Sequence, residues 1–254
     1  QLQATLNMKL ALTAEGLSLN DAVRNWFRGA NAVFQYAAFR RGYFSIGALS
    51  AGCFLRAHPS SETPDMQCSL ALYSAEKIGS NLHPYSGVTG VCTLLRPESR
   101  GYVRIKSADP RQAPAIHPNY LAARKDRETL VEGVKAIRRI IAAPAMATHI
   151  AEEMEPGPAC ASDDAILDYI RHRGSTVYHP VSTCRMGQDA NAVVDERLRV
   201  RGFTGLRVID ASIMPMVVSG NTNAATIMIG EKGADMVLED AKTAQNAAAL
   251  SPAT

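Results

Sequence analysis

Apolar residues recur at helical spacing over residues 18–41, where Ala22, Val23, Trp26, Phe27, Ala30, Val33, Phe34 and Ala37 follow the cap chemistry of Asn20 and Asp21. That spacing predicts one helix, and the few residues before it read as part of a helix-like segment that is already under way at Gln1. Residues 42–60 are rich in Gly, Ser and Ala and predict a loop-rich or substrate-facing stretch. Met66 to Ser74 alternates weakly, and a second loop, 79–90, holds His83 and Pro84. Val88–Leu95 and Gly101–Lys106 predict two strands of one antiparallel sheet around the turn 96–100, and Pro110, Pro114 and Pro118 keep 107–120 extended and irregular. A strong helix is predicted over 124–142, with Leu130, Val134, Ile137 and Ile141 on one face and Lys135, Arg138 and Arg139 where they complement the helix dipole. A shorter helix over 163–173 has Ser162 as its N-cap and Gly174 as its stop. Residues 175–187 are strand-like, Leu206–Asp210 reads as a short buried strand, and Asn223–Leu238 as the last helix. Residues 241–254, Ala-rich without an apolar stripe, read as a frayed tail.

Composition narrows the class without naming a chemistry. The 254 residues, 46% apolar and 20% charged, suit one large or two small globular domains with a substantial core. A net charge of +3 from 27 basic and 24 acidic residues gives no reason to expect a nucleic-acid partner. No apolar run is long enough to predict a transmembrane segment, and residues 1–30 do not read as a signal peptide. The cysteines at 53, 68, 92, 160 and 184 form neither a CxxC pair nor a ligand cluster. No metal site is expected. Free thiols in a reducing, cytoplasmic compartment are, with peripheral membrane association left open.

Three segments carry candidate chemistry. In Ser175–Gly187, His179 offers an imidazole that could take a proton from a hydroxyl at neutral pH, although a lone histidine is more often structural. Cys184 nearby reads as a small hydrophobe rather than a nucleophile. In Gly205–Pro215 an apolar run ends in Asp210-Ala211-Ser212, which suits either a ligand-facing sheet edge or a turn in which Asp210 caps its own backbone. In Ser219–Asp235, Asn221, Thr222 and Asn223 precede a helix whose first N–H groups attract negative charge, unless these residues are simple caps.

Taken together, the stretches YHPVSTCRMG, LRVRGFTGLRVIDASIMP and SGNTNAATIMIGEKGADM resemble the C-terminal half of glucose–methanol–choline (GMC) oxidoreductases, the choline-dehydrogenase-like branch in particular. LLRPESRGYVRIKSADP, PAIHPNYL and SLNDAVRNWFRGANAVFQYAAFRRG fit as well, so the resemblance covers about residues 15–240. It implies an α+β fold: a substrate-binding domain with an antiparallel sheet flanked by helices over 1–190, then the C-terminal strand and helix of an FAD-binding Rossmann-like domain over 191–240, and a flexible tail over 241–254. It implies that FAD is the cofactor and an alcohol the substrate. His179 and Asn221 would be the catalytic pair. Asp210 and Ala211 would meet the flavin pyrophosphate region, Thr222, Asn223 and Ala224 would lie beside the flavin ring, and Val177 and Tyr178 would adjoin the substrate.

Two features depart from the family. No two of the 18 glycines are separated by a single residue, so the G-x-G-x-x-G phosphate loop is absent. The expectation is therefore a C-terminal portion whose N-terminal FAD-binding half is supplied by the same protein or by a separate chain. Similar sequences carry Asp where His117 stands here, and a structural role is expected for that histidine. The rival expectation is a flavin-free remnant acting as a binding or interaction module.

Overall fold

The computed structural model describes residues 1–77 and 80–250, with side chains to residue 243; Ile78, Gly79 of the predicted loop 79–90, and residues 251–254 of the predicted tail lie outside it. The chain is α+β and divides into two compact units. One comprises Ala4–Leu95 and Leu121–Val177; the other comprises Gln1–Gln3, Arg96–Tyr120 and the chain from Tyr178 onward.

The first unit is built on an antiparallel sheet. Its strands are β1 (Ala4–Leu12), β2 (Ala51–Leu55), β3 (Met66–Ala71), β4 (Gly87–Leu94), β7 (Ile150–Glu155) and β8 (Ser175–Thr176), in the order β2-β3-β4-β1-β7, with β8 also paired to β1. The labels β5 (Tyr102–Arg104) and β6 (Ala115–His117) belong to the other unit. β1 corrects the helix-like reading of the first residues. Leu6, Met8 and Leu10 alternate with polar neighbours and are completely buried, the period-2 pattern of a strand. β2 likewise replaces part of the loop predicted over 42–60, and β7 was not anticipated.

Helix α3 (Arg124–Ile141) buries Leu130, Val134 and Ile137 on the sheet, as its stripe predicts. Arg138 ties it to β7 by a two-pronged ion pair with Glu153, at 2.7 and 3.0 Å. After the short helix α4 (Pro144–Ala147), helix α5 (Asp163–Arg173) starts where Ser162 Oγ accepts from the Ala165 N–H at 3.2 Å, and buries Ile166 and Ile170. The single helix predicted over 18–41 is instead two, α1 (Leu19–Arg24) and α2 (Trp26–Phe39), broken at Asn25, whose extended backbone ends one and caps the other. The apolar side chains of α2 are mostly exposed, and Trp26 stands 72% open to solvent.

In the second unit β5 pairs with β6, not with β4, so the two strands predicted around the turn 96–100 belong to different sheets. The Gly101 backbone lies so close to the His117 carbonyl that a Cβ there would sit 2.0 Å from it, and the His117 ring stacks on Tyr102. That contact is a structural role for His117. Val181, Val194, Leu198, Ile213, Met214, Val217 and Ile229 form the core of this unit. Helix α6 runs from Asn223 to Leu250, so residues 241–250, expected to fray, continue the helix. Leu206–Asp210 is not a strand. Its backbone is tied to 198–200 by Val200 N–H to Leu206 O (2.9 Å) and Val208 N–H to Leu198 O (3.1 Å), which make an isolated bridge rather than a ladder, and Leu206 is 49% exposed while Val208 and Ile209 are half-buried against the core. A strand needs a neighbour along its whole length, and this segment has one only at its start.

Candidate functional site

The segment that carries His179 and the one leading to Asn221 run side by side in the second unit. Ser182 Oγ donates to the Pro215 carbonyl at 3.1 Å, Cys184 N–H to Ser212 O at 3.1 Å, and Met186 N–H to Ile213 O at 2.8 Å. Val181, Ile213, Met214 and Val217 fill the space behind them. The prediction of a long strand over 175–187 fails after Thr176, because Tyr178 and Ser182 adopt left-handed backbone angles (φ 58° and 76°) that break an extended ladder. Cys184 is a free, half-buried thiol.

His179 is half-buried, and burial alone pushes its pKa below the ordinary histidine value, so the ring is neutral at pH 7. Its Nδ1 lies 2.8 Å from Oε1 of Gln3, a residue that is 1% exposed. Sequence reasoning missed Gln3. The one signal that could have found it is the alternation of Leu6, Met8 and Leu10, which marks a strand starting just after it. Tyr178, beside His179, is 79% exposed, whereas Val177 is half-buried at the end of the other unit.

Asp210 is exposed, and its Oδ1 accepts from the Ser212 N–H at 2.7 Å, capping the 3-10 turn Ala211–Ile213. The self-capping alternative for Asp210 is thus present, and Ala211 packs against the core. At the start of α6 Thr222 is buried and its carbonyl accepts from both the N–H and the hydroxyl of Thr226, at 2.9 and 2.8 Å. Asn221, Asn223 and Ala224 are exposed, and the space around Gly220 is open. The beginning of a long helix is therefore open on the side where Asn221 stands, with the positive end of the helix dipole towards that opening. A neutral imidazole is a group that can take a hydroxyl proton, and a helix start is one that favours negative charge. Each is of a kind that suits a flavin ring or an alcohol hydroxyl. Among the described residues no cluster of side chains could hold a metal ion.

A family model described as GMC oxidoreductase matches residues 97–230, more than half of the chain. The chain belongs to the GMC oxidoreductase family. It is 43% identical over 212 residues to an alcohol dehydrogenase [acceptor] of Pseudomonas putida, covering 83% of this chain and 38% of that protein. It is 38% identical over 229 residues to an oxygen-dependent choline dehydrogenase of Escherichia coli, covering 88% and 40%. This GMC chain thus spans about two fifths of the length of the curated relatives it matches. Among solved structures, pyridoxine 4-oxidase from Mesorbium loti superposes with a TM-score of 0.73 at 25% identity, covering 92% of this chain and 42% of that one. Formate oxidase of Aspergillus oryzae superposes at 0.86 and 23% identity, covering 96% and 47%, a likeness of fold. No described helix is long and apolar enough to cross a membrane.

Proposed function

We propose that this chain is the C-terminal, substrate-side portion of an FAD-dependent alcohol oxidoreductase. Residues 1–190 would serve the substrate, and 191–240 would return to a flavin-binding domain completed by an N-terminal half that carries G-x-G-x-x-G. The observation that carries the reading is the neutral His179, held through Nδ1 by a buried side chain, on a segment within the stretch that matches the GMC family. Bound FAD would supply a hydride acceptor for the alcohol carbon. The chain's own residues do the rest. His179 takes the hydroxyl proton at Nε2, and the Asn221 amide holds the alcohol oxygen. Thr222, Asn223 and Ala224 would present the helix start to the flavin ring, and Asp210 and Ala211 would meet the pyrophosphate region. Val177 and Tyr178 line the approach of the substrate. The five free cysteines support a reducing, cytoplasmic setting.

The test is a visible spectrum of the protein produced together with a G-x-G-x-x-G half, followed by anaerobic addition of a panel of primary alcohols that includes choline. Flavin absorbance that an alcohol bleaches in the wild type, but not in His179→Ala, is the expected result. A colourless, folded protein that takes up no FAD would replace this reading with that of a flavin-free binding module.

A further inference from the structure

The hydrogen bond between Gln3 and His179 has a chemical consequence. Gln1 and Val181 exchange backbone hydrogen bonds, the Gln1 nitrogen donating to Val181 O at 2.9 Å and the Val181 N–H to Gln1 O at 3.1 Å. These bonds bring the first residues of the chain alongside the segment that holds His179, and the Gln3 side chain reaches the ring directly, at 2.8 Å. The Gln1 side chain adds a second tie, its Oε1 accepting from the Val217 N–H at 2.9 Å, so the backbone before Gln3 is fixed at both its main chain and its side chain. Gln3 is buried, so its amide has little freedom to turn away.

An amide carbonyl oxygen can only accept. With Oε1 of Gln3 2.8 Å from Nδ1, the proton of the neutral imidazole sits on Nδ1, and Nε2 is left with its lone pair. Free imidazole side chains in water favour the opposite tautomer, with the proton on Nε2, which can donate to a hydroxyl oxygen but cannot take its proton. We propose that Gln3 is a positioning residue that holds His179 in its Nδ1–H form, so that Nε2 is free to accept the proton of the substrate hydroxyl. The proposal rests on the alcohol oxidoreductase reading, and it makes the acceptor depend on a neutral amide where other sites use a carboxylate. A neutral partner adds no charge that would hold the ring protonated, and burial lowers the pKa of the ring.

The experiment is nitrogen-15 NMR of His179 together with steady-state kinetics, on the FAD-loaded protein and its Gln3→Met and Gln3→Glu variants. The wild type should show a protonated Nδ1 and a bare Nε2 above the pKa of the ring. Gln3→Met keeps the bulk and removes the acceptor; it should shift the ring towards the Nε2–H form and lower kcat about tenfold with KM nearly unchanged, the loss expected for one positioning hydrogen bond. Gln3→Glu restores an acceptor, so the Nδ1–H form should return, now with a raised His179 pKa and an acid limb of activity displaced to higher pH. A wild-type ring protonated on Nε2, as the opposite orientation of the Gln3 amide would impose, overturns the proposal. So does a Gln3→Met tautomer equal to the wild type, or a changed tautomer with unchanged kcat. If His179→Ala turns over normally while the tautomer responds to Gln3 as described, it is the alcohol oxidoreductase reading that fails, and the control of the tautomer stands.

Discussion

Asp21 is the clearest place to test what holds the helical layer to the sheet in the first unit. It is buried, and its Oδ2 alone accepts from Ser86 Oγ at 2.7 Å, Gly16 N–H at 2.9 Å, Ser18 Oγ at 2.9 Å and Ser18 N–H at 3.2 Å. Oδ1 is buried without a partner. Burial pushes the carboxyl pKa up, but the hydrogen bonds from Ser86, Ser18 and Gly16 outweigh it and leave the group below its ordinary value. In Asp21→Ala the Gly16 N–H can turn to water and Ser86 can donate to Ala14 O at 3.1 Å, but the two Ser18 donors stay buried with little to bond. Two charge-assisted bonds at about 1.5–3 kcal/mol each, offset in part by removal of a buried charge, give a loss of about 3 kcal/mol. Asp21→Asn keeps an acceptor at the Oδ2 position and puts an amide NH2 where Oδ1 finds no partner, for about 1–2 kcal/mol. Urea unfolding at pH 7 with an unchanged slope is the assay. Because the folded pKa is depressed, this stability is present above the unfolded carboxyl value of 3.8 and is lost as pH falls through the folded one, so Asp21→Asn should flatten the acid limb of stability. An Asp21→Ala loss below about 1 kcal/mol, or an acid limb equally steep without the carboxylate, would refute the reasoning.

Further expectations follow from single features. In the FAD-loaded protein, His179→Ala should lower kcat/KM by roughly 10²–10⁴-fold, Asn221→Ala by less and Tyr178→Phe least; any other order in steady-state assays refutes the roles assigned. Burial lowers the His179 pKa, so kcat/KM should hold below pH 6.5 and decline only as pH falls through the depressed value; a decline already complete at pH 6.5 would contradict that. Leu6→Ala, in the middle of β1, should destabilise by about 2–5 kcal/mol in denaturant titration. Trp26 is the sole tryptophan and is exposed, so acrylamide should quench the emission of this chain as freely as that of a solvated indole, and a protected emission would place a second surface on α2.

The elements that could be read from the sequence are those whose burial is decided locally. Helix α3 has an apolar stripe that the sheet covers, and α5 has a serine cap and a glycine stop, so pattern and packing agree. The misread elements depend on distant partners. β1 draws its neighbours from residues 87–94, 150–155 and 175–176, and the alternation of Leu6, Met8 and Leu10 that marks it as a strand says nothing of those partners. β4 and β5 were joined because a five-residue turn separates them, yet β5 finds its partner at 115–117. In the candidate site, His179, Asp210 and Asn221 came forward through the family resemblance of the stretches that hold them, not through a local pattern. Gln3 did not, since a single amide at the head of a strand carries no pattern, and it meets the histidine only through a side-chain contact between residues 176 positions apart.

The shape of α6 explains why the segment before it is not a strand. Ile229 is buried in the local core and Met236 packs partly against it, while Ile227, Met228, Val237 and Leu238 on the other sides of the helix are exposed. The approach of Gly233 to Ile209 is so close that a Cβ there would fall 2.3 Å from its Cγ2, which brings the helix backbone directly onto the Leu206–Asp210 segment. A helix that is apolar on more than one side is built to lie between two layers, and an apolar segment pressed against its glycine is placed as the innermost strand of such a layer would be. The sequence of 206–210 has the composition of a sheet interior, and the local packing holds it in position; what it lacks is a parallel neighbour to bond with along its length. The exposed sides of α6 and the backbone of 206–210, bridged to 198–200 but part of no ladder, are therefore one feature seen twice, and both are what the proposed N-terminal flavin-binding half would cover.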